Sequence, residues 1–117
     1  MTTLFDLLRT LDVAVSNEAA AQPCAPYWLR RAEAVARPDS PQQVAAVIAA
    51  LEAEGAAVVP FGGATELSAG YPPAENRPFA ALSTVRLNRI LDYQPDDLTI
   101  TVEAGATIET VQKALAA

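Results

Sequence analysis

The chain has 117 residues, 51% of them hydrophobic and 19% charged, with a formal net charge of −6 at pH 7. That is the composition of one small globular domain with a hydrophobic core, too short for two cores and too apolar for a disordered tail. The acidic balance excludes a general attraction to nucleic acid or to an anionic membrane surface, so any phosphate must be held by local geometry. One cysteine, Cys24, and no histidine exclude an internal disulfide, a Cys/His zinc site and a histidine base supplied by this chain. No run reaches the roughly 18 apolar residues of a membrane span. The N-terminus lacks a basic start and carries Asp6 and Asp12, unlike a secretory signal, and the expected location is cytoplasmic.

In chain order, Leu4, Leu8, Leu11 and Val15 fall on one helical face. They predict an N-terminal helix that ends before the connector Gln22-Pro23-Cys24-Ala25-Pro26. Tyr27 and Trp28 are expected to cap the core beneath that helix, and Cys24 to be a structural thiol. Ala34 to Arg37 reads as a short strand closed by Pro38. The next helix is well marked: Ser40 as N-cap, Pro41 in the first turn, Gln43 three residues beyond the cap, and Gly55 as the stop. Val44, Val47, Ile48 and Leu51 form its apolar stripe. Ala57-Val58-Val59-Pro60 is the following strand, and this strand–helix–strand unit predicts a parallel pairing of its two strands. Phe79 to Thr84 and Ile90 to Tyr93 are further candidate strands, and Pro95-Asp96-Asp97 is a turn. Leu98 to Val102, alternating and β-branched, is the clearest strand. Thr107 caps a last helix, with Glu109 in its first turn and Ile108, Val111 and Leu115 on one face. That helix reaches Ala117 without a stop signal or a closing strand, the pattern of a chain that is cut.

After the strand that ends at Pro60 comes the loop within VVPFGGATELSAG, Val58 to Gly70. Glycine pairs cost backbone entropy on folding, so Gly62 and Gly63 call for a reason. A Walker A loop requires G-x-x-x-x-G-K-[ST], and no lysine is near. A Rossmann fingerprint requires G-x-G-x-x-G opening into a helix, which Tyr71-Pro72-Pro73 blocks. Two readings then stand on local composition. One is a plain turn, common after a strand. The other is a nest of backbone N–H groups converging on a diphosphate, with Gly62, Gly63 and Ala64 small enough for close approach and Thr65 offering a hydroxyl. Arg86, Asn88 and Arg89 read as a solvated turn rather than as ligands, and Glu103 as structural rather than as a base.

The ordered segments ARPDSPQQVAAVIAALEAEGAAVVPFGGATELSAG and LSTVRLNRILDYQPDDLTITVEAGATIETVQKAL resemble the start of the FAD-binding domain of the vanillyl-alcohol oxidase/p-cresol methylhydroxylase family, the FAD-linked oxidases. Family members carry a loop P-x-G-G-G-[ST]-x-x-x-x-G, then L-[SD]-x-x-x-x-N-R-I, then a strand ending V-x-[AP]-G. Here these fall on Pro60–Gly70, Leu82–Ile90 and Val102–Gly105. The resemblance implies an α+β fold: a small βαβ-containing mixed sheet with flanking helices, the first lobe of a PCMH-type FAD-binding domain. Residues 1–22 would be an N-terminal helix and 33–117 an incomplete FAD-binding subdomain. The implied cofactor is FAD, with Phe61, Gly62, Gly63, Ala64, Thr65 and Glu66 as its diphosphate loop. Gly70 would turn the chain away, and Gly105 would approach the flavin or the ribityl chain. Ala64 stands where the family usually has a third glycine, which requires a negative φ there. Within the family the resemblance runs to the FAD-binding subunit of bacterial glycolate oxidase, implying a flavoprotein oxidoreductase that acts on a small 2-hydroxy acid alongside other subunits. The family's acids, bases and substrate groups map beyond Ala117, so no catalytic residue is assigned. The alternative expectation is a non-catalytic lobe that serves as an interaction or assembly module, or a folded fragment.

Overall fold

A computed structural model describes residues 2–17, 26–63 and 72–117. Thr3 opens helix α1, Leu4–Arg9, with a capping box: its hydroxyl accepts from the Asp6 N–H at 3.1 Å and the Asp6 carboxylate accepts from the Thr3 N–H at 3.3 Å. The helix ends at Arg9, well short of the predicted length, and the chain returns as strand β1, Ala14–Ser16. Val13 and Val15 are β-branched and favour extended backbone. A partner is at hand in β2, Val35–Arg37, which pairs antiparallel with β1. Arg37 Nη1 donates to Ser16 Oγ at 2.6 Å across that pair. Leu11 and Val15 still pack on the same core as Leu4 and Leu8. Periodicity therefore located the burial and misassigned the conformation that delivers it.

Helix α2, Pro41–Ala53, starts as predicted, with Ser40 Oγ accepting from the Gln43 N–H. The Gln43 side chain reaches one residue past the cap and accepts from the Asp39 N–H at 2.8 Å. Gly55, at φ +68°, ends the helix in the left-handed region that glycine enters freely. Strand β3, Ala57–Phe61, and strand β4, Phe79–Ser83, complete a four-stranded sheet of order β1–β2–β4–β3. β2 and β3 each run parallel to β4 but are not paired with each other, contrary to the expectation for the strand–helix–strand unit. β4 takes the place between them because all five of its residues are buried. Only a position covered on both faces accommodates such a strand.

The pleat sorts the core into two layers. Ala34, Ala36, Ala80 and Leu82 face Leu4 and Leu8 of α1 and Val47 and Leu51 of α2. Val35, Phe61, Phe79 and Ala81 face the other way, onto Leu29 and Trp28 of the 3₁₀ turn Tyr27–Arg31. Trp28 thus packs on Phe79, ring centroids 6.3 Å apart, on the face opposite α1, and Tyr27 is 82% exposed. The expectation that both aromatics sit beneath the N-terminal helix is corrected on both counts, since the sheet separates them from it.

The chain closes with an antiparallel hairpin, β5 at Ile90–Gln94 and β6 at Thr99–Val102, and helix α3, Ile108–Ala116, capped by Thr107. The Pro95–Asp97 turn hands over to Leu98, which sits at φ 57°. No residue of β5, β6 or α3 is fully buried. Among the described residues no helix is long and apolar enough to cross a membrane.

Candidate functional site

β3 and β4 are in register from Ala57–Phe79 to Phe61–Ser83, so they deliver the chain to the same edge of the sheet. In open sheets the carboxyl ends of parallel strands are where ligands bind. The ladder continues one step past β4, where the Thr84 N–H donates to the Phe61 carbonyl at 3.0 Å. Gly62 consequently stands beside Thr84. A third segment arrives from β6: the Gly105 N–H donates to the Leu87 carbonyl at 2.6 Å, and the Leu87 N–H donates to the Thr84 carbonyl at 2.8 Å. The exits of β3, β4 and β6 are thereby joined.

The two glycines in this junction are glycines for different reasons. At Gly62 the backbone is outside the left-handed region, and among the described residues a Cβ would meet only Thr84 Oγ1, at an ordinary 3.5 Å. Among the described residues nothing requires glycine there, and the residue is exposed. At Gly105 a Cβ would land on the Thr84 carbonyl oxygen, 2.6 Å from its carbon and 2.8 Å from the Leu87 oxygen. The fold itself excludes any side chain at that position. Gly105, expected near the flavin, is pressed against the protein's own backbone.

The remaining candidates divide. The Phe61 side chain is 6% exposed and packs in the layer with Leu29 and Phe79, with its carbonyl taken by Thr84, so it anchors the end of β3. Gly63, two residues on, is exposed. Ala64, Thr65, Glu66 and Gly70 lie outside the described residues, as does Cys24.

Arg89 is exposed, as expected of a solvated turn, and is also tied down. It grips Glu103 in a bidentate pair, Nε to Oε1 at 2.6 Å and Nη2 to Oε2 at 3.0 Å, and its Nη2 also donates to the Asp39 carbonyl at 3.0 Å. The Glu103 carboxylate, 9% exposed, also accepts from the Arg89 N–H. Hydrogen bonding from Arg89 holds the Glu103 carboxyl below its ordinary range, and the same contact raises the Arg89 pKa. A carboxylate so occupied is structural, as its sequence context suggested. Arg86 and Asn88 are exposed. Among the described residues no group of His, Cys, Asp or Glu could hold a metal ion.

Sequence reasoning passed over Ser83 and Thr84. Ser83 is 2% exposed, and its Oγ accepts from the Val85 N–H at 3.3 Å, tightening the turn out of β4. The available signal was a hydroxyl pair at the end of a strand. Its significance depends on β4 lying next to β3, which the strand–helix–strand reading did not foresee.

The chain matches the FAD binding domain family over residues 32–117 and belongs to that family. It is 41% identical over 87 residues to the D-2-hydroxyglutarate dehydrogenase of Xanthomonas citri pv. viticola, a match covering 74% of this chain and 18% of that protein. Its fold is shared with BBE-like 1 of Physcomitrella patens (TM-score 0.73, 20% identity, 97% of this chain and 26% of that one). It is also shared with BBE-like #28 of Arabidopsis thaliana (0.64, 21%, 94% and 21%) and with alkyldihydroxyacetonephosphate synthase (0.63, 19%, 73% and 16%). The chain therefore spans less than a fifth of the curated relative and about a quarter or less of these structures. The resemblance to FAD-linked oxidases, the α+β fold with flanking helices and the assignment of FAD as cofactor are borne out. The geometry fits that cofactor independently. Gly62 leaves open the space of a Cβ that the protein would tolerate, at an exposed strand end where a diphosphate can approach the backbone closely.

Proposed function

We propose that the chain is the diphosphate-binding part of a flavoprotein that oxidises a 2-hydroxy acid, with D-2-hydroxyglutarate ahead of glycolate as the substrate. The 41% identity to a D-2-hydroxyglutarate dehydrogenase carries this reading, and both acids belong to the class that the sequence resemblance implied. Bound FAD supplies the redox chemistry, taking up the reducing equivalents from the substrate. The chain's own part is to bind and orient: Gly62 and Gly63 present backbone to the diphosphate, Ala64, Thr65 and Glu66 continue the loop, and Phe61 fixes its start. Residues 33–117 act as the cofactor subdomain, in a cytoplasmic protein with partner subunits.

The test is a transplant. The matching segment of the Xanthomonas enzyme is replaced by residues 32–117 of this chain, and the purified chimera is examined for a flavin band and for dye reduction with D-2-hydroxyglutarate and glycolate. A yellow chimera that turns over D-2-hydroxyglutarate, and turns colourless on Gly63→Val, supports the reading. A folded but colourless chimera sinks it.

A second reading rests on a separate observation. Leu98 is 93% and Ile108 76% exposed, and Leu91 and Leu115 are exposed as well. Tyr93, Pro95, Leu98, Ile100 and Leu115 line an apolar hollow of ≈ 230 Å³. Such a surface suits an interaction or assembly lobe. Light scattering on the eluting chain separates the two, because a strict monomer at all concentrations argues against a pairing role.

A further inference from the structure

We propose that Thr84 is a cofactor-binding residue, whose hydroxyl donates to a phosphoryl oxygen of the dinucleotide seated over Gly62. The proposal rests on the FAD site described above and adds to it a residue from a different strand. Both backbone groups of Thr84 are already committed, the N–H to the Phe61 carbonyl at 3.0 Å and the carbonyl to the Leu87 N–H at 2.8 Å. Only its side chain is left to address a ligand. The hydroxyl donates to the Phe61 carbonyl at 3.4 Å, well beyond the roughly 2.7–2.8 Å at which hydroxyl–oxygen hydrogen bonds are usual. A weakly held donor loses little by turning to a better acceptor.

Position supplies the second argument. Among the described residues, apart from Gly62 and its chain neighbours, Thr84 Oγ1 is the one atom within 4 Å of where a Gly62 Cβ would stand. A group that enters the space vacated by that missing side chain meets the hydroxyl. Electrostatics supplies the third. The chain carries a net charge of −6; of the two cations that follow Thr84, Arg86 is exposed and Arg89 is engaged by Glu103 and the Asp39 carbonyl. A neutral hydroxyl can join the backbone N–H groups of the loop without burying a charge. The fourth argument is preorganisation. Gly105 closes directly on the Thr84 carbonyl and donates to Leu87, so the turn that carries the hydroxyl is held before any ligand arrives.

The competing account is that threonine stands at the end of β4 only because β-branched residues suit strands. Thr84→Val keeps that shape and deletes the hydroxyl, while Thr84→Ser keeps the hydroxyl. FAD and ADP affinities of the 117-residue chain are measured by flavin fluorescence and calorimetry, alongside melting curves. The expected result is about a tenfold weaker binding of both ligands in Thr84→Val, the scale of a lost hydrogen bond to a charged group. Thr84→Ser is expected within about twofold of wild type, with unchanged melting in both variants. Wild-type affinity in Thr84→Val overturns the proposal and leaves the FAD site standing. A loss for FAD but not for ADP overturns the phosphoryl contact. Equal losses in the valine and serine variants reveal a packing role and overturn it too. If the wild-type chain binds neither ligand, the underlying reading of the loop falls with it. Should Thr84→Val fail to fold, Thr84→Ser against Thr84→Ala makes the same comparison.

Discussion

Gly62 and Gly105 are about as far apart in what they tolerate as two glycines can be, and the sequence treated them as members of one site. At Gly62 alanine fits, so Gly62→Ala is expected to leave stability unchanged or to raise it by about 0.4–1 kcal/mol through the unfolded state. The same variant should bind FAD more weakly, because its methyl occupies the open approach to the backbone. A melting curve and a flavin titration on one preparation check both halves. Loss of stability without loss of affinity would contradict the cradle. At Gly105 alanine collides with backbone rather than with a pliable side chain. Gly105→Ala is therefore expected to destabilise by about 3 kcal/mol, at the severe end of overpacking, as read from denaturant unfolding. The sequence marked both positions as needing glycine, but only packing distinguishes a residue kept small for the fold from one whose smallness the fold does not need.

Among the elements, α2 was legible from end to end because both boundaries are local: a serine cap at one end and a glycine at positive φ at the other. The N-terminal stripe was not, since an apolar residue every three or four positions is equally well buried by a short helix followed by an edge strand. The entry of β5 and the exit of β6 are tied by the Arg89–Glu103 pair and by the Glu103 N–H donating to the Arg89 carbonyl at 2.9 Å. This pair sets a pH dependence whose sign is determined. The Glu103 carboxyl is depressed in the folded state, so its contribution is complete above the ordinary value of 4.5 and is lost as pH falls through the lower folded value. Wild type should thus lose melting temperature on acidification below that point more steeply than Glu103→Gln, and should melt higher than that variant at pH 7. Parallel melting–pH curves with identical slopes would show that the pair contributes nothing.

For the whole molecule, the described residues have a radius of gyration of 15.8 Å and extents of 55 × 28 × 19 Å, against about 13 Å for a compact domain of this size. The elongation reflects two unequal parts. The four-stranded sheet has a core on both faces, whereas the hairpin and α3 bury no residue completely. Native-state hydrogen exchange is accordingly expected to open in two stages, with amides of β5, β6 and α3 exchanging before those of β2 and β4. Uniform protection across both parts would show that they unfold as one unit.

By itself the sequence determined the elements with local punctuation, the family through an ordered set of motifs, and FAD as the cofactor that goes with it. Those features are short-range or serial, and each can be read in the order the residues are written. Only the tertiary structure decided that β4 lies between β2 and β3, that Trp28 and α1 occupy opposite faces, and that Thr84, Leu87 and Gly105 converge beside Gly62. These are relations between segments that are far apart along the chain. They follow from which strand can be buried on both faces, and burial belongs to the assembled sheet rather than to any one segment.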